Sequence, residues 1–267
     1  MSTTTSTDNS GLLNVLLPPF ERECNCKVDV ISVGTGKALK LGEQGDVDVV
    51  LVHARPLEDK FIAAGFGVNR RDVMYNDFVV IGPPGDPADL RHATNVIDAF
   101  RRIAAKHALF VSRGDDSGTD QKEKQIWAAA AIAPSGSWYR SVGQGMGEVI
   151  QMATELRGYT LADRGTYNVY RHGKTDLAIL YDDNRNSGKP GRPMPTLTAA
   201  QVAALSGANG LFNPYGVIAV NPRRFPQVRY DLAMKFIAYI TGAEGQRIIA
   251  QYQVQGDPVF FTFRKGN

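Results

Sequence analysis

Residues 47–52, Val-Asp-Val-Val-Leu-Val, are apolar at every position except Asp48. A strand with one face in water alternates polar and apolar side chains, whereas a strand covered on both faces is apolar nearly throughout. The run therefore predicts a strand lying between two layers of helix. Further apolar runs at 72–82, 108–111, 176–181 and 215–220 are separated by stretches in which apolar residues recur at helical spacing, among them Val96, Ile97, Phe100, Ile103 and Ala104. Strand and helix in alternation predict an α/β protein built on largely parallel sheet.

The chain has 267 residues, more than one ordinary domain needs and enough for two lobes. Pro83-Pro84-Gly85-Asp86-Pro87 comes directly after the run at 72–82, which predicts a hinge strand leaving the first lobe. The strand at 215–220 returns to that lobe, and amphipathic helices at 230–240 and 244–252 cover its sheet. Lobe one is thus expected at 1–80 and 214–267, and lobe two at 81–213 with helices at 121–131 and 148–157 and a strand near 159–161. An insertion-like exposed loop is expected at 184–209, with Thr198 capping a short helix. Near the start, the apolar stretch 12–17 predicts a helix that Pro18 and Pro19 disrupt, with a β-rich run after it at 28–33.

The net charge is only +3, and the basic residues form no run or stripe, so nucleic acid is not an expected partner. Cys24 and Cys26 lack the second half of a zinc motif and are expected as free thiols. No stretch of about 18 consecutive apolar residues is present to span a membrane. The opening Met-Ser-Thr-Thr-Thr lacks the regions of a secretory signal, which is compatible with a cytoplasmic chain or with one whose signal has been removed.

The segment Ser112-Arg113-Gly114-Asp115-Asp116-Ser117-Gly118-Thr119 places a guanidinium, hydroxyls and backbone amides at the start of a predicted helix. Helix N-termini present amides without intrahelical acceptors and a partial positive charge, and arginine offers a fork of donors to oxyanion edges. A helix cap with a surface arginine accounts for this segment taken alone. Two more hydroxyl-bearing helix entrances, at Thr4-Thr5-Ser6 and Gly34-Thr35-Gly36, favour an anion site instead, because ligands in open α/β sheets gather at the carboxyl ends of strands. Within the segment, Asp115 is expected to brace Arg113 and Asp116 to cap the helix.

Other motifs lack the residues their chemistry needs. Gly34-Thr35-Gly36-Lys37-Ala38 has Ala38 where a P-loop needs a magnesium-binding hydroxyl, and the glycines at 143, 145 and 147 miss dinucleotide-binding spacing. His53, His92, His107 and His172 show no metal-binding spacing and are expected as surface or locally bonded residues, so no metal site is predicted. Ser117 lacks a hydrolase elbow and a companion histidine motif. No catalytic residue and no cofactor are expected, and the chain is expected not to be an enzyme.

Thr3-Thr4-Thr5-Ser6-Thr7 with Ser10-Gly11-Leu12, Val33-Gly34-Thr35-Gly36, the Ser112 to Thr119 loop, and Tyr159-Thr160-Leu161-Ala162-Asp163-Arg164-Gly165-Thr166 together resemble the tungstate-binding family of ABC-transporter solute receptors. Asp72-Val73-Met74-Tyr75-Asn76-Asp77-Phe78 and Phe212-Asn213-Pro214-Tyr215-Gly216-Val217 extend the resemblance over nearly the whole chain. It implies a two-lobed type II periplasmic-binding-protein fold, with a ligand cleft between lobes joined by two crossover strands. It also implies tungstate or molybdate as ligand, an ABC-transporter permease as partner, a monomer, and periplasmic residence. By position, Thr4, Thr5, Ser6 and Thr35 from lobe one and Arg113, Ser117, Gly118, Thr119 and Thr160 from lobe two are the implied ligand-binding residues. Two departures stand out: almost no strand precedes the threonines, and the 184–209 segment is longer than that family carries. A cytoplasmic oxyanion sensor or store and a phosphate-binding receptor are the alternative functions.

Overall fold

The computed structural model describes residues 1–182, 194–195 and 199–264. The chain forms two compact units. The first holds Met1–Tyr75 and the chain from Pro214 onward, and the second runs from Asn76 to Asn213 apart from the short strand at Met194–Pro195.

The first unit opens with β1 (Ser2–Thr4), α1 (Thr5–Asn9), α2 (Leu13–Cys24), β2 (Ile31–Val33), α3 (Thr35–Gln44), β3 (Val49–Val52) and α4 (Arg55–Ala63). The long strand β4 (Gly67–Gly82) carries the chain into the second unit. That unit contains α5 (Val96–Ala105), β5 (Phe110–Ser112), α6 (Gly118–Ala129), β6 (Tyr139–Ser141), α7 (Met146–Glu155), β7 (Thr160–Asp163), α8 (Arg164–Tyr170) and β8 (Ala178–Tyr181). After β9 (Met194–Pro195) and α9 (Ala199–Ser206), β10 (Phe212–Val220) brings the chain back to α10 (Tyr230–Ile240) and α11 (Ala243–Gln251).

In the first unit β1 lies between β2 and β3, parallel to both, and β10 pairs antiparallel with β3. The apolar run of β3 divides as a two-face strand must: Val49 and Leu51 join the core under α2, α10 and α11, while Val50 and Val52 join the core under α3 and α4. The second unit repeats the device on β4, where Phe78 and Val80 face one cluster and Val79 and Ile81 another. Here β4 pairs antiparallel with β7 and β8, and β5 is parallel to β6. Lys122 on α6 donates to the carbonyls of Ser206, Gly207 and Gly210 at 2.6, 3.0 and 2.8 Å, so all three ammonium protons are used to tie α6 to the end of α9.

Four sequence expectations need correction. Helix α2 runs through Pro18 and Pro19. The carbonyls those prolines leave without a donor belong to Asn14 and Val15 on the exposed side, while Leu13, Leu16, Leu17 and Phe20 anchor the other face in the core. The hydroxyl motif begins inside a strand of its own: β1 takes in Thr3 and Thr4, and its three residues suffice because they pair on both edges. Of the β-rich run at 28–33, only Ile31–Val33 forms a strand. Cys24 and Cys26 are joined in a disulfide, since Asn25 takes a left-handed conformation (φ 49°) that ends α2 and brings their Cα atoms to 5.2 Å. Most of the expected loop at 184–209, and the capping role of Thr198, lie outside the described residues. No helix among the described residues is long and apolar enough to cross a membrane.

Candidate anion site

The first donor set lies at the carboxyl ends of β1, β2 and β3. These strands are parallel, with Thr4 beside Val33 and Thr3 beside Leu51, so the residues just beyond each strand emerge on one edge. Ser2 and Thr3 spend their hydroxyls inside the sheet, on the carbonyls of Ala38 (2.9 Å) and Leu51 (2.8 Å). Thr4 is the N-cap of α1, accepting from the Thr7 amide at 3.2 Å, and its Oγ1 also meets Thr7 Oγ1 at 2.7 Å and Ser6 Oγ at 3.1 Å. His53, the first residue after β3, brings Nε2 to 2.9 Å from Ser6 Oγ and 3.1 Å from Thr4 Oγ1. Thr35 is buried where α3 starts, and Thr5 is half-buried at the start of α1. Thr4, Ser6, Thr7 and His53 are thus one hydrogen-bonded cluster, with Thr35 on the same edge.

The second donor set is the loop between β5 and α6. Gly114 (φ 59°) and Asp116 (φ 55°) both take left-handed backbone, and a Cβ at Gly114 would also meet Ser141 Oγ, so glycine is favoured there. The loop curls around Asp120, whose carboxylate accepts from the amides of Gly114 and Asp116, both at 3.1 Å. Ser117, not Asp116, caps α6: its Oγ accepts from the Asp120 amide at 3.2 Å. Asp116 instead faces Lys124 at 3.1 Å. Arg113 is buried, and Asp115 engages only its Nε and Nη2 edge, as expected of a brace. Asp115 also accepts from the Ser117 amide at 3.2 Å. Burial pushes the Asp115 carboxyl up, but the hydrogen bond and charge of Arg113 outweigh it and hold the group below the usual carboxylate range. Thr119, in the first turn of α6, has a buried hydroxyl with no partner among the described residues.

Thr160 does not reach this edge. It opens β7, whose other end is Asp163, and β5 runs parallel to the segment through a bridge from Phe110 to Tyr159. Arg113 lies just past the carboxyl end of β5, so its level along the sheet is that of the far end of β7. There Thr166, in the first turn of α8, has a buried hydroxyl without a partner among the described residues. Arg164, by contrast, is spent on carboxylates, forking Asp77 at 2.5 and 2.6 Å and reaching Asp182 at 2.9 Å. His53 and Asp120 lie in no sequence motif, and Thr7 and Thr166 lie inside motifs that do not single them out. The available signal for His53 is position: the residue after a parallel strand faces the ligand edge. Among the described residues no group of three or more His, Cys, Asp or Glu side chains is arranged to hold a metal ion.

Residues 1–244 match the model of the PBP superfamily domain. A solved structure described as the tungstate ABC transporter from Geobacter sulfurreducens is 58% identical, with a TM-score of 0.78 over 94% of this chain and 97% of that one. The tungstate-binding protein TupA from Desulfovibrio alaskensis is 42% identical, with a TM-score of 0.75 over 99% and 98% of the two chains. In sequence, the tungstate-binding protein TupA of Peptoclostridium acidaminophilum is 39% identical over 264 residues, 97% of this chain and 84% of the relative.

Proposed function

The chain belongs to the PBP superfamily and, within it, to the TupA-type tungstate-binding proteins, and from that premise we propose that it is the solute receptor of an ABC transporter, capturing one tetrahedral oxyanion of the tungstate or molybdate class. It is a binding protein and not an enzyme, and the oxyanion is its ligand, not a cofactor. Thr4, Thr5, Ser6 and Thr35 are the proposed ligand-binding residues of the first unit. Those of the second are Arg113, Ser117, Gly118 and Thr119, with Thr166 in place of Thr160.

The observation that carries this reading is the buried hydroxyl of Thr119, which has no acceptor among the described residues, in the first turn of a helix whose preceding loop holds Arg113. A buried donor without an acceptor costs stability unless a ligand supplies one. A fully deprotonated dianion is all acceptor. Hydrogen phosphate also needs an acceptor for its own proton, but Asp115 is committed to Arg113 and Ser117, and Asp120 to the loop amides and Lys124. That supports tungstate or molybdate over a phosphate receptor. The Cys24–Cys26 disulfide favours an oxidising compartment, and with it an extracytoplasmic receptor over a cytoplasmic sensor or store.

Binding works by differential affinity: the ligand must favour one state of the chain over the others, because an anion held equally well by all states would signal nothing to a transporter. Native mass spectrometry with added sodium tungstate tests the reading. A single adduct one tungstate heavier than the free chain is expected, and absence of any adduct overturns it.

A further inference from the structure

His53 is 4% exposed, stacks on Tyr215 with ring centroids 4.5 Å apart and planes 21° apart, and presents Nε2 to both Ser6 Oγ and Thr4 Oγ1. Each hydroxyl of the cluster has one proton to give. The cluster has internal demands on those protons, through the contacts of Thr4 with Ser6 and with Thr7. If the ring carries its proton on Nδ1, Nε2 is an acceptor and takes the proton of Ser6 or Thr4 inward. If Nε2 carries the proton, the ring donates into the cluster. Thr4 can then donate to Thr7, and the Ser6 proton is released to point at a ligand. The two tautomers thus differ by one hydroxyl donor.

The geometry points to His53 as the positioning residue of the first donor set: with Nε2 protonated, it turns the Ser6 hydroxyl outward and adds one donor to that face, favouring an anion that only accepts. This inference rests on the proposed oxyanion function and says which residue tunes it. The stacking on Tyr215 fixes the ring plane and the two hydroxyl contacts hold Nε2 toward the cluster, which leaves the proton position as the variable.

Imidazole nitrogen NMR on the ¹⁵N-histidine-labelled full chain, with and without sodium tungstate, reads the tautomer directly. The expected result is a protonated Nε2 in the tungstate-bound protein, and an unprotonated, acceptor-type Nε2 in that state overturns the inference while leaving tungstate binding intact. Two variants give a second readout. His53→Gln, whose amide can donate from a similar place, should keep affinity within about fivefold, and His53→Phe, which keeps the stack but not the donor, should lose about tenfold or more. A His53→Phe chain that binds tungstate within about twofold of the unmodified protein also overturns it. Should that variant fail to fold, the nitrogen spectrum of the unmodified chain decides. Failure of the unmodified chain to bind tungstate at all refutes the oxyanion reading, and this inference with it.

Discussion

Arg113 and Asp115, two residues apart, form a forked ion pair: Nε donates to Oδ1 at 3.2 Å and Nη2 to Oδ2 at 2.5 Å, while the same Oδ1 accepts the Ser117 amide at 3.2 Å. The arginine is thereby locked to the loop that caps α6, so its orientation is set before any ligand arrives. Preorganisation of this kind spares the binding event the cost of ordering a long side chain.

With the fork removed, Arg113→Ala should weaken tungstate binding by about 2 to 3 kcal/mol, since it deletes a charge-assisted donor and leaves the Asp115 carboxylate without its partner. Asp115→Asn should cost less, because the guanidinium stays but loses its brace. Titration calorimetry on both variants checks the order; an unchanged affinity in Arg113→Ala would make that residue a structural member of the loop only.

Ser6→Ala and Thr119→Val remove one hydroxyl from each donor set. If a single anion draws on both, each change should weaken the same one-to-one binding event, by about 1.5 to 3 kcal/mol for a bond to a charged partner. Calorimetry should show lower affinity and unaltered stoichiometry in both. An effect from only one of them would confine the site to one unit.

Glu123 supplies a pH prediction. It is buried on α6, accepting from Trp127 Nε1 at 3.1 Å and from the Tyr139 hydroxyl at 2.8 Å on the same oxygen, and burial pushes its carboxyl up from 4.5 to about 7. Because the folded value lies above the unfolded one, the folded state holds the proton more tightly. Its contribution to stability is full below about pH 4.5 and is lost as the pH rises through 7. Glu123→Gln keeps a carbonyl acceptor and cannot ionise. Relative to the parent chain it should gain about 3 kcal/mol between about pH 4.5 and pH 8.5, read from urea unfolding at the two values. A difference that does not change with pH would show that Glu123 titrates normally.

Features of the fold and site are legible in the residues alone where their signal is local. The two-faced burial of β3 is written in its own apolar run, and the brace of Arg113 by Asp115 comes from two residues in one loop. The cap of α6 is ambiguous in sequence because Asp116 and Ser117 are both good capping types, and only the left-handed Asp116 decides between them. Passage of α2 through Pro18 and Pro19 depends on core contacts made by Leu16, Leu17 and Phe20, which no local rule contains. His53 carries no motif; its role arises from the pairing of β3 with β1, which brings together residues 47 positions apart. Thr160 and Thr166 both fall within one motif, and only the direction of β7 separates the ends.

On the proposed reading the ligand is an anion that accepts and does not donate, and competition calorimetry on the unmodified chain tests this most directly. Tungstate is expected to bind one-to-one, at or above molybdate in affinity. Sulfate is expected far below, because its shorter bonds reach fewer donors. Phosphate is expected to be equally poor, because its proton would go unpaired at a cost of about 1 to 3 kcal/mol. Displacement of tungstate by phosphate at comparable concentration would contradict this and make the chain a phosphate receptor.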